Sequence, residues 1–348
     1  MKKIKDLLEK LSNAHGISGH EGGIRAIVEE EIHPYVDEVS TDKLGNIIAT
    51  KRGEAPSIML AAHMDEIGLM VKYVDDDGFI KFVKVGGWFD QTLLNQRVIF
   101  HTEKRAITGV IGSKPVHRMK EGEKKELIDA DNMFIDVGAT SKKDAQKLGI
   151  VEGTPITIDR EFHPMANDMV TGKAFDDRAG LVMLIEALKR TDTDVTVHAV
   201  GTVQEEVGLK GAKTSAFGLS PDVAIATDVT IAGDHPGIEK KDSTIEIGKG
   251  PSITVLDGSG RGLITSETVL KWLKETANRK KISYQLDVSS GGTTDATEIQ
   301  LTKAGIPSGS VNIPTRYIHS PVEVINLRDL DRCAELIARA IETVKEYF

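Results

Sequence analysis

The sequence has 348 residues, with 44 basic and 53 acidic side chains and a formal net charge of −9. This negative charge opposes attraction to nucleic acid or to an anionic membrane surface, so neither is an expected partner. A chain of this length exceeds the size at which one core usually stops growing, which favours two domains. The single cysteine excludes a cysteine-based zinc site and fits a reducing cytoplasm.

The first part of the chain predicts two helices followed by strands. Helical patterns cover 2–14 and 21–32, and charged residues interrupt the first, as is typical of an amphipathic helix and not of a signal peptide. A hairpin is expected around 43–45, and the apolar stretch that ends at His63 is expected to form a strand. No stretch has the roughly 18 uninterrupted apolar residues of a membrane span.

The pattern changes between residues 68 and 164, where short apolar runs alternate with turn residues. These runs predict successive β-strands, interrupted by one helix near 141–148. We interpret this stretch as an inserted, β-barrel-like domain. The charged loop 114–131 within it is expected to be mobile and solvated.

After residue 165, strands and helices alternate up to a C-terminal helix that starts at about 327. This alternation favours a mostly parallel sheet with helices on both faces, a three-layer α/β/α fold. Residues 1–67 contain too few strands for a domain of their own and are assigned to the same sheet. The predicted organisation is an α/β domain of residues 1–67 and 165–348, with residues 68–164 inserted.

Side chains able to bind a metal ion lie at the ends of several predicted strands and at the starts of a helix and a loop. They are His63, Asp65, Asp176, Asp177, Glu205, Glu206, Asp228 and His319. In an open α/β sheet, ligands bind at the carboxyl edge of the strands. Two imidazoles with several carboxylates suit zinc, cobalt or manganese and contain too much nitrogen for a calcium site.

Each of these groups has an ordinary structural explanation when it is taken alone. A histidine at a strand end is often only hydrogen-bonded, and acids at a helix start, such as Asp176 and Asp177, satisfy free N–H groups. Asp228 could cap a turn, and the pair Glu205 and Glu206 could lie at a solvated edge. The occurrence of all groups at successive strand ends favours a metal site instead.

The adjacent glutamates Glu205 and Glu206 predict a division of roles. At a strand end that bends into a loop, one carboxylate can bind a metal while the other faces a water molecule as general base. The residues alone leave open which glutamate has which role. The spacing of His63 and Asp65 allows Asp65 to accept the second N–H of the imidazole and to fix its tautomer.

Other candidates have less specific interpretations. Arg316 and Tyr317 lie close to His319 and could either contact a substrate or shape the loop. His235 is expected to belong to a turn. The segment 291–300 could bring backbone N–H groups close to an anionic ligand or could form a tight turn, and both interpretations stay open.

Six segments, in order, carry a resemblance to a known family: AAHMDEIGLMV, KAFDDRAG, GTVQEEVGLKGA, ATDVTIAGDHPG, GGTTDA and RYIHSPVEV. They resemble the tetrahedral (TET) aminopeptidases, which include deblocking and glutamyl aminopeptidases and have often been labelled endoglucanase or cellulase. The resemblance covers essentially the whole chain. It implies a zinc-peptidase-like fold and a dinuclear metal-dependent aminopeptidase, with residues 1–67 and 165–348 as the catalytic domain.

The resemblance implies that five side chains hold two divalent ions. One ion would be bound by His63, Asp176 and Asp228, and the second by Asp176, Glu206 and His319. Asp176 is the shared ligand because relatives use the first acid of this Asp-Asp pair, usually beside a cis peptide bond. The expected ions are zinc or cobalt, and manganese also accepts these ligands.

The resemblance also implies the catalytic residues and the assembly. Glu205 would be the general base, and Asp65 would orient His63. Residues 68–164 would form a dimerisation domain, and dimers would assemble into a hollow tetrahedral dodecamer with the active sites inside. The substrates would be peptides with a free N-terminus.

Three alternatives stay open. A metallo-carboxypeptidase or deacylase on the same fold is the nearest of them. An endoglucanase would need two acids about 5 to 10 Å apart on opposite sides of a sugar, which the adjacent Glu205 and Glu206 do not suit. A non-enzymatic assembly protein would bind metal without cleaving peptides. The sequence leaves the preferred N-terminal residue and the native metal undetermined.

Overall fold

The computed structural model describes residues 1–348. The helices are α1 Lys2–Asn13, α2 Gly22–Ile32, α3 Lys142–Lys147, α4 Phe175–Arg190, α5 Lys210–Leu219, α6 Glu267–Lys280, α7 Ala296–Ile299 and α8 Leu327–Thr343. The strands are β1 Glu38–Thr41, β2 Ile47–Lys51, β3 Glu54–His63, β4 Gly68–Val74, β5 Ile80–Val85, β6 Arg97–His101, β7 Ala106–Gly112, β8 Phe134–Asp136, β9 Pro155–Ile158, β10 His163–Pro164, β11 Met169–Gly172, β12 Val195–Thr202, β13 Val223–Ile231, β14 Ser252–Leu256, β15 Gln285–Val288, β16 Ser308–Thr315 and β17 Glu323–Asn326.

Eight strands form one sheet in the order β1-β2-β12-β3-β13-β16-β14-β15. The central strands β12, β3, β13 and β16 run parallel to one another. The pairs β2–β12 and β14–β16 on either side are antiparallel. All residues of β16 are buried, as expected for a strand covered on both faces.

Helices cover both faces of this sheet. In β3, Ile58, Leu60 and Ala62 belong to a core that also contains residues of α1, α2, α4, α6 and α8. Met59 and Ala61, which point to the opposite face, pack with residues of α5 and α7. The predicted three-layer α/β/α fold with a mostly parallel central sheet is therefore confirmed. None of the helices combines the length and the hydropathy that a membrane span requires.

The predicted barrel lies in the middle of the chain. Strands β4, β5, β8, β7, β6 and β9 close into a barrel, and every neighbouring pair is antiparallel. The barrel has its own core of 18 buried residues. The limits 68–164 of a separate domain stay a prediction. The last strand in this range, β10, is not part of the barrel and pairs with β11 instead.

Most predicted local elements are present, and one is shorter than predicted. The helices at 2–14 and 21–32 and the hairpin around 43–45 are confirmed. The helix predicted in TDATEIQLTKAG is limited to the single turn of α7. It does not extend further because Lys303 and Gly305 have positive φ angles, which are incompatible with a right-handed helix. The sequence did not predict β14, because a short apolar run does not distinguish strand from helix.

A buried ion cluster connects the start of the barrel with the α/β part. The carboxylate of Glu66 accepts hydrogen bonds from Lys173 Nζ at 2.8 and 3.0 Å and from the N–H of Gly16 at 3.0 Å. Arg178 Nη2 lies 3.4 Å from the same carboxylate. All three charged side chains are buried. Two buried cations therefore depend on one anion for their neutralisation.

We expect Glu66→Gln to lower the free energy of unfolding by about 3 to 5 kcal/mol, because removing one partner leaves buried charges uncompensated. Urea denaturation followed by circular dichroism measures this loss. The matched control is Glu38→Gln, which breaks the exposed ion pair with Arg52 at 2.6 Å and should cost at most about 1 kcal/mol. Equal losses in the two variants would contradict the expectation.

Candidate active site

Parallel strands bring chemically reactive side chains to one edge of the main sheet. His63 is the last residue of β3, Glu205 and Glu206 follow β12, and Asp228 lies near the end of β13. Because these three strands are parallel and adjacent, their carboxyl ends meet at the same edge. Strand order, and not closeness in sequence, therefore assembles the site.

The five predicted metal ligands form two overlapping groups. His63, Asp176 and Asp228 make one, and Asp176, Glu206 and His319 make the other, with the candidate ligand atoms of each group within 4.8 Å of one another. His63 Nε2 lies 3.0 Å from Asp176 Oδ1. His319 Nε2 lies 3.4 Å from Asp176 Oδ2 and 3.4 Å from Glu206 Oε2. The structure brings all five together, with Asp176 in both groups.

Glu205 and Glu206 occupy different positions beside these groups. Glu205 Oε2 is 3.8 Å from His63 Nε2, and the two glutamates form a further metal-capable group with His63. Glu206 Oε1 is buried and has no hydrogen-bond partner. An unpaired buried carboxylate oxygen is costly, and a bound cation would remove that cost. The donor set of carboxylates and imidazoles fits zinc, cobalt or manganese.

The concentration of acids shifts the pKa of the groups in the site. Burial raises the pKa of Glu205 well above its ordinary value; His63 opposes this rise and the charge of Asp228 adds to it. Burial and the charge of Asp176 do the same for the pKa of Asp228. Burial opposes the charged form of His319, but Asp176 and Glu206 outweigh it and raise the pKa of that imidazole to about 11. Without a cation, the site therefore retains protons at neutral pH.

Asp65 contacts three of the residues that form the site. Its carboxylate accepts hydrogen bonds from the N–H groups of Glu205 at 3.0 Å and Glu206 at 3.2 Å, and from the hydroxyl of Ser18 at 2.6 Å. His63 Nδ1 lies 3.0 Å from the main-chain oxygen of Asp65 and 3.5 Å from its carboxylate. The shorter contact to the imidazole is thus made by the main chain, while the carboxylate holds the two glutamates.

Two more buried acids hold the backbone of the candidate ligands. Asp177 Oδ2 accepts from the N–H of His63 at 3.1 Å, and the Asp176–Asp177 peptide bond is cis. The carboxylate of Glu323 accepts from the N–H of Asp176 at 3.0 Å and from that of His319 at 3.1 Å. Glu323 was not predicted from the sequence, although an acid within the apolar run PVEV was a detectable signal.

The loop after β5 brings the barrel into contact with the site. A Cβ atom on Gly87 would lie 2.7 Å from His319 Nδ1, closer than side chains approach. A Cβ atom on Gly86, whose φ is +82°, would lie 3.3 Å from Glu206 Oε2. Glycine is therefore required at this approach, and the inserted barrel forms part of the wall of the site.

The site opens into a cavity of about 850 Å³. His235 and Tyr317 line it, with their rings 5.1 Å apart, and the segment 291–294 lines it too. Arg316 instead forms a two-pronged ion pair with Asp234 at 2.9 and 2.7 Å, so it shapes the loop. A concave site of this size accommodates a small molecule or the end of a peptide.

A family model described as M42 glutamyl aminopeptidase matches residues 45–336. The chain belongs to this M42 aminopeptidase family. The predicted resemblance and the expectation of a peptidase are thereby confirmed. A putative aminopeptidase of Acetivibrio thermocellus is 42% identical over 337 residues, which cover 97% of this chain and 98% of that protein.

Two solved structures are similar over nearly the full length of the chain. An aminopeptidase from the archaeon Desulfurococcus kamchatkensis has a TM-score of 0.94 and 45% identity, covering 98% of this chain and 95% of its own. The Pyrococcus horikoshii TET1 peptidase, described as able to assemble into a tetrahedron or a large octahedral shell, has a TM-score of 0.87 and 34% identity. This match covers 97% of this chain and 99% of that one.

We expect the apparent affinity of this M42 protein for zinc to fall as the pH falls from 8 to 6. The pKa of His319 is raised to about 11 without a cation, so zinc must displace its proton, and each released proton changes the affinity by about tenfold per pH unit. Competition with a chelator of known pH dependence measures this slope. The variant His319→Ala should release fewer protons. A pH-independent affinity would contradict the expectation.

Proposed function

We propose that this protein is a dinuclear metal-dependent aminopeptidase that removes N-terminal residues from peptides inside a self-compartmentalised oligomer. The observation that carries the proposal is the pair of metal-capable groups that share Asp176, with Glu205 beside them at the wall of one cavity. A shared carboxylate is suited to holding two cations close together. The family supports the aminopeptidase activity.

Five residues are the proposed metal ligands. His63, Asp176 and Asp228 would hold one divalent cation, and Asp176, Glu206 and His319 would hold the other. The short distances within each group support this assignment, and so does the unpartnered oxygen of Glu206. Zinc or cobalt fits these donors best, and manganese is acceptable. When bound, such cations acidify water to a pKa of about 7 and polarise a peptide carbonyl.

Glu205 is the proposed general base. It belongs to neither group that shares Asp176, and its carboxylate reaches the same space, 3.8 Å from His63 Nε2. Burial raises the pKa of Glu205, which makes it a better proton acceptor near neutral pH. Glu205 would take a proton from the attacking water and return it to the amine that leaves. Asp65 would orient His63 and, through its hydrogen bonds to their N–H groups, position both glutamates.

Selection of a free N-terminus would follow from the charge of the site. A protonated α-amine is attracted to the carboxylates that line the cavity, whereas an acetylated amine carries no charge. This difference separates an aminopeptidase from a deacylase or a carboxypeptidase on the same fold. The substrates are therefore proposed to be peptides with an unmodified first residue.

We expect the metal-loaded enzyme to cleave aminoacyl-p-nitroanilides and not their N-acetylated forms, and to lose this activity on chelation and regain it on metal addition. Glu205→Gln should lower kcat by at least about 100-fold, because it removes the proton acceptor. The metal content of the variant, measured by mass spectrometry, should equal that of the wild type.

The matched control for Glu205→Gln is Glu298→Gln, which makes the same change in the wall of the same cavity. Glu298 pairs with Lys213 at 3.2 Å, and the control should retain kcat within about threefold, as a residue outside the proton transfer. Full activity of Glu205→Gln would contradict its role as general base. Cleavage of N-acetylated substrates alone would indicate a deacylase.

The proposed assembly is a dodecamer built from dimers, with residues 68–164 as the dimerisation domain. It is supported by the assemblies described for the Pyrococcus horikoshii relative. Large apolar side chains are also exposed on and beside the barrel, among them Val83, Phe89, Val110 and Leu127, as is common at protein interfaces. The cytoplasmic location inferred from cysteine usage stays a prediction.

We expect sedimentation velocity to give a main species of twelve times the chain mass of 37.8 kDa. Phe89→Asp places a charge in the exposed apolar surface and should shift the distribution to smaller species, since an unpaired charge in an interface is costly. Phe217→Asp, at an exposed aromatic of α5 away from the barrel, tests whether the effect is specific to the dimerisation surface. A monomer at all concentrations for the wild type would contradict the assembly.

A further inference from the structure

The cavity continues beyond the metal-capable groups to two further acids, Asp257 and Asp287. Both line it, and they are only 6% and 9% exposed. Asp257 directly follows β14 and Asp287 lies in β15. Neither forms an ion pair with a lysine, arginine or histidine of the protein. Buried acids are normally paired, so this unpaired couple requires an explanation.

The carboxylate of Asp257 has one free oxygen. Its Oδ1 accepts a hydrogen bond from the N–H of Leu263 at 2.6 Å, whereas its Oδ2 is buried and has no hydrogen-bond partner. The hydroxyl of Thr294, in the same cavity wall, also has no partner. Leaving such groups unsatisfied is costly in the folded protein. A ligand that donates hydrogen bonds and carries positive charge would satisfy both.

The two carboxylates also act on each other. Asp287 Oδ2 accepts a hydrogen bond from the hydroxyl of Thr230 at 2.6 Å, and burial raises the pKa of Asp287. Burial, with the charge of Asp287 added, raises the pKa of Asp257 to about 6. At pH 8 the pair therefore carries negative charge that no cation of the protein offsets.

The position of the pair relative to the proposed metal ligands follows from β13. Asp228 and Thr230 are two residues apart on this strand, so their side chains point to the same face about 6.6 Å apart. The hydroxyl of Thr230 donates a hydrogen bond to Asp287, so this carboxylate lies beside Thr230 on the face of the strand that also carries Asp228. The four-carbon stem of a lysine spans a gap of that size.

Away from the metal-capable groups, the cavity offers no basic side chain of the lysine or arginine type to these two acids. No lysine or arginine is among the residues that line it. The third acid of this region, Glu298, already has a partner in Lys213. An acidic side chain in this part of the cavity would face Asp257 and Asp287 without any cation to receive it, which is unfavourable at close range.

We propose that Asp257 and Asp287 form the pocket for the first side chain of the peptide and select lysine or arginine there. The proposal rests on the proposed aminopeptidase function and specifies its substrate class. The cationic end of the side chain pairs with the two carboxylates, while the α-amine and the first peptide bond lie at the metal-capable groups. A glutamyl preference, as in the description of the family, is therefore not expected for this chain.

The test compares lysyl, norleucyl and glutamyl p-nitroanilides with the metal-loaded enzyme at pH 8. Norleucine has the same stem as lysine without the ammonium group. We expect kcat/KM for lysyl to exceed that for norleucyl by about 10- to 100-fold, the usual worth of a hydrogen bond to a charged group. Glutamyl should be the slowest of the three.

The variants Asp257→Asn and Asp287→Asn keep the size of the side chains and remove the charges. Each should reduce the lysyl-to-norleucyl ratio by about tenfold or more, because the charge that pairs with the lysine ammonium group is lost. Glu298→Gln, the control in the same wall, should leave the ratio unchanged. A wild-type ratio near one, or equal losses for both reporters in the variants, would overturn the proposal.

Two measurements on the wild type do not depend on how the variants fold. Inhibition of norleucyl hydrolysis by L-lysine amide should be about tenfold stronger than by L-norleucine amide. If no reporter is cleaved, the proposed aminopeptidase function is wrong. The proposed pocket is then tested by calorimetric binding of the two amides, and equal affinities would contradict it. A metal ion in excess of two per chain, lost in Asp287→Asn, would also overturn it by assigning the pair to a cation.

Discussion

The repulsion between carboxylates at one edge of the main sheet is the constraint on which the rest of the structure depends. Asp176, Glu205, Glu206 and Asp228 converge there because β12, β3 and β13 run parallel and end together. Burial, and in addition the charges of neighbouring acids, raise the pKa of Glu205 and of Asp228. Bound divalent cations would neutralise these carboxylates and remove the repulsion between them. The clustering therefore favours a metal-binding function for this edge of the sheet over a purely solvated surface.

The fold holds these groups in place through backbone hydrogen bonds. Asp65, Asp177 and Glu323 accept N–H groups of the candidate ligands and of the proposed base. Because these acceptors are buried acids, they fix the main chain without adding a competing donor to the site. The buried cluster around Glu66 holds the start of the barrel against the helices. The glycines of the β5 loop then let the barrel approach His319.

The charges of the cavity are divided between two tasks. The acids of the metal-capable groups are proposed to bind the resident metal ions, whereas Asp257 and Asp287 are proposed to bind the cationic side chain of the substrate. A family can retain the first set and change the second, since the ligand set serves the reaction and the distant wall serves selection. The word glutamyl in the description of the family therefore need not describe the preference of each member.

Much of this protein could be predicted from its sequence. Helical and strand periodicity determined the α/β alternation and the position of the barrel, because burial on one face or both leaves a repeating pattern in the residues. Acids at successive strand ends indicated the site, since unpaired carboxylates after apolar strands are costly without a function. The resemblance of six segments supplied the roles of His63, Asp176 and Glu205, which the pattern alone had left open.

Only the tertiary structure decided which distant groups share a space. Glu323 and Asp287 were not predicted, because each lies in a short segment whose partners are far away in the sequence. The pairing of Asp65 with the backbone of the two glutamates likewise depends on the register between β3 and β12. Strand order and loop conformation are set by the packing of the whole chain, whereas periodicity is a local property. The sequence therefore determined the elements and the kind of site, and the packed fold determined the neighbours of each charge.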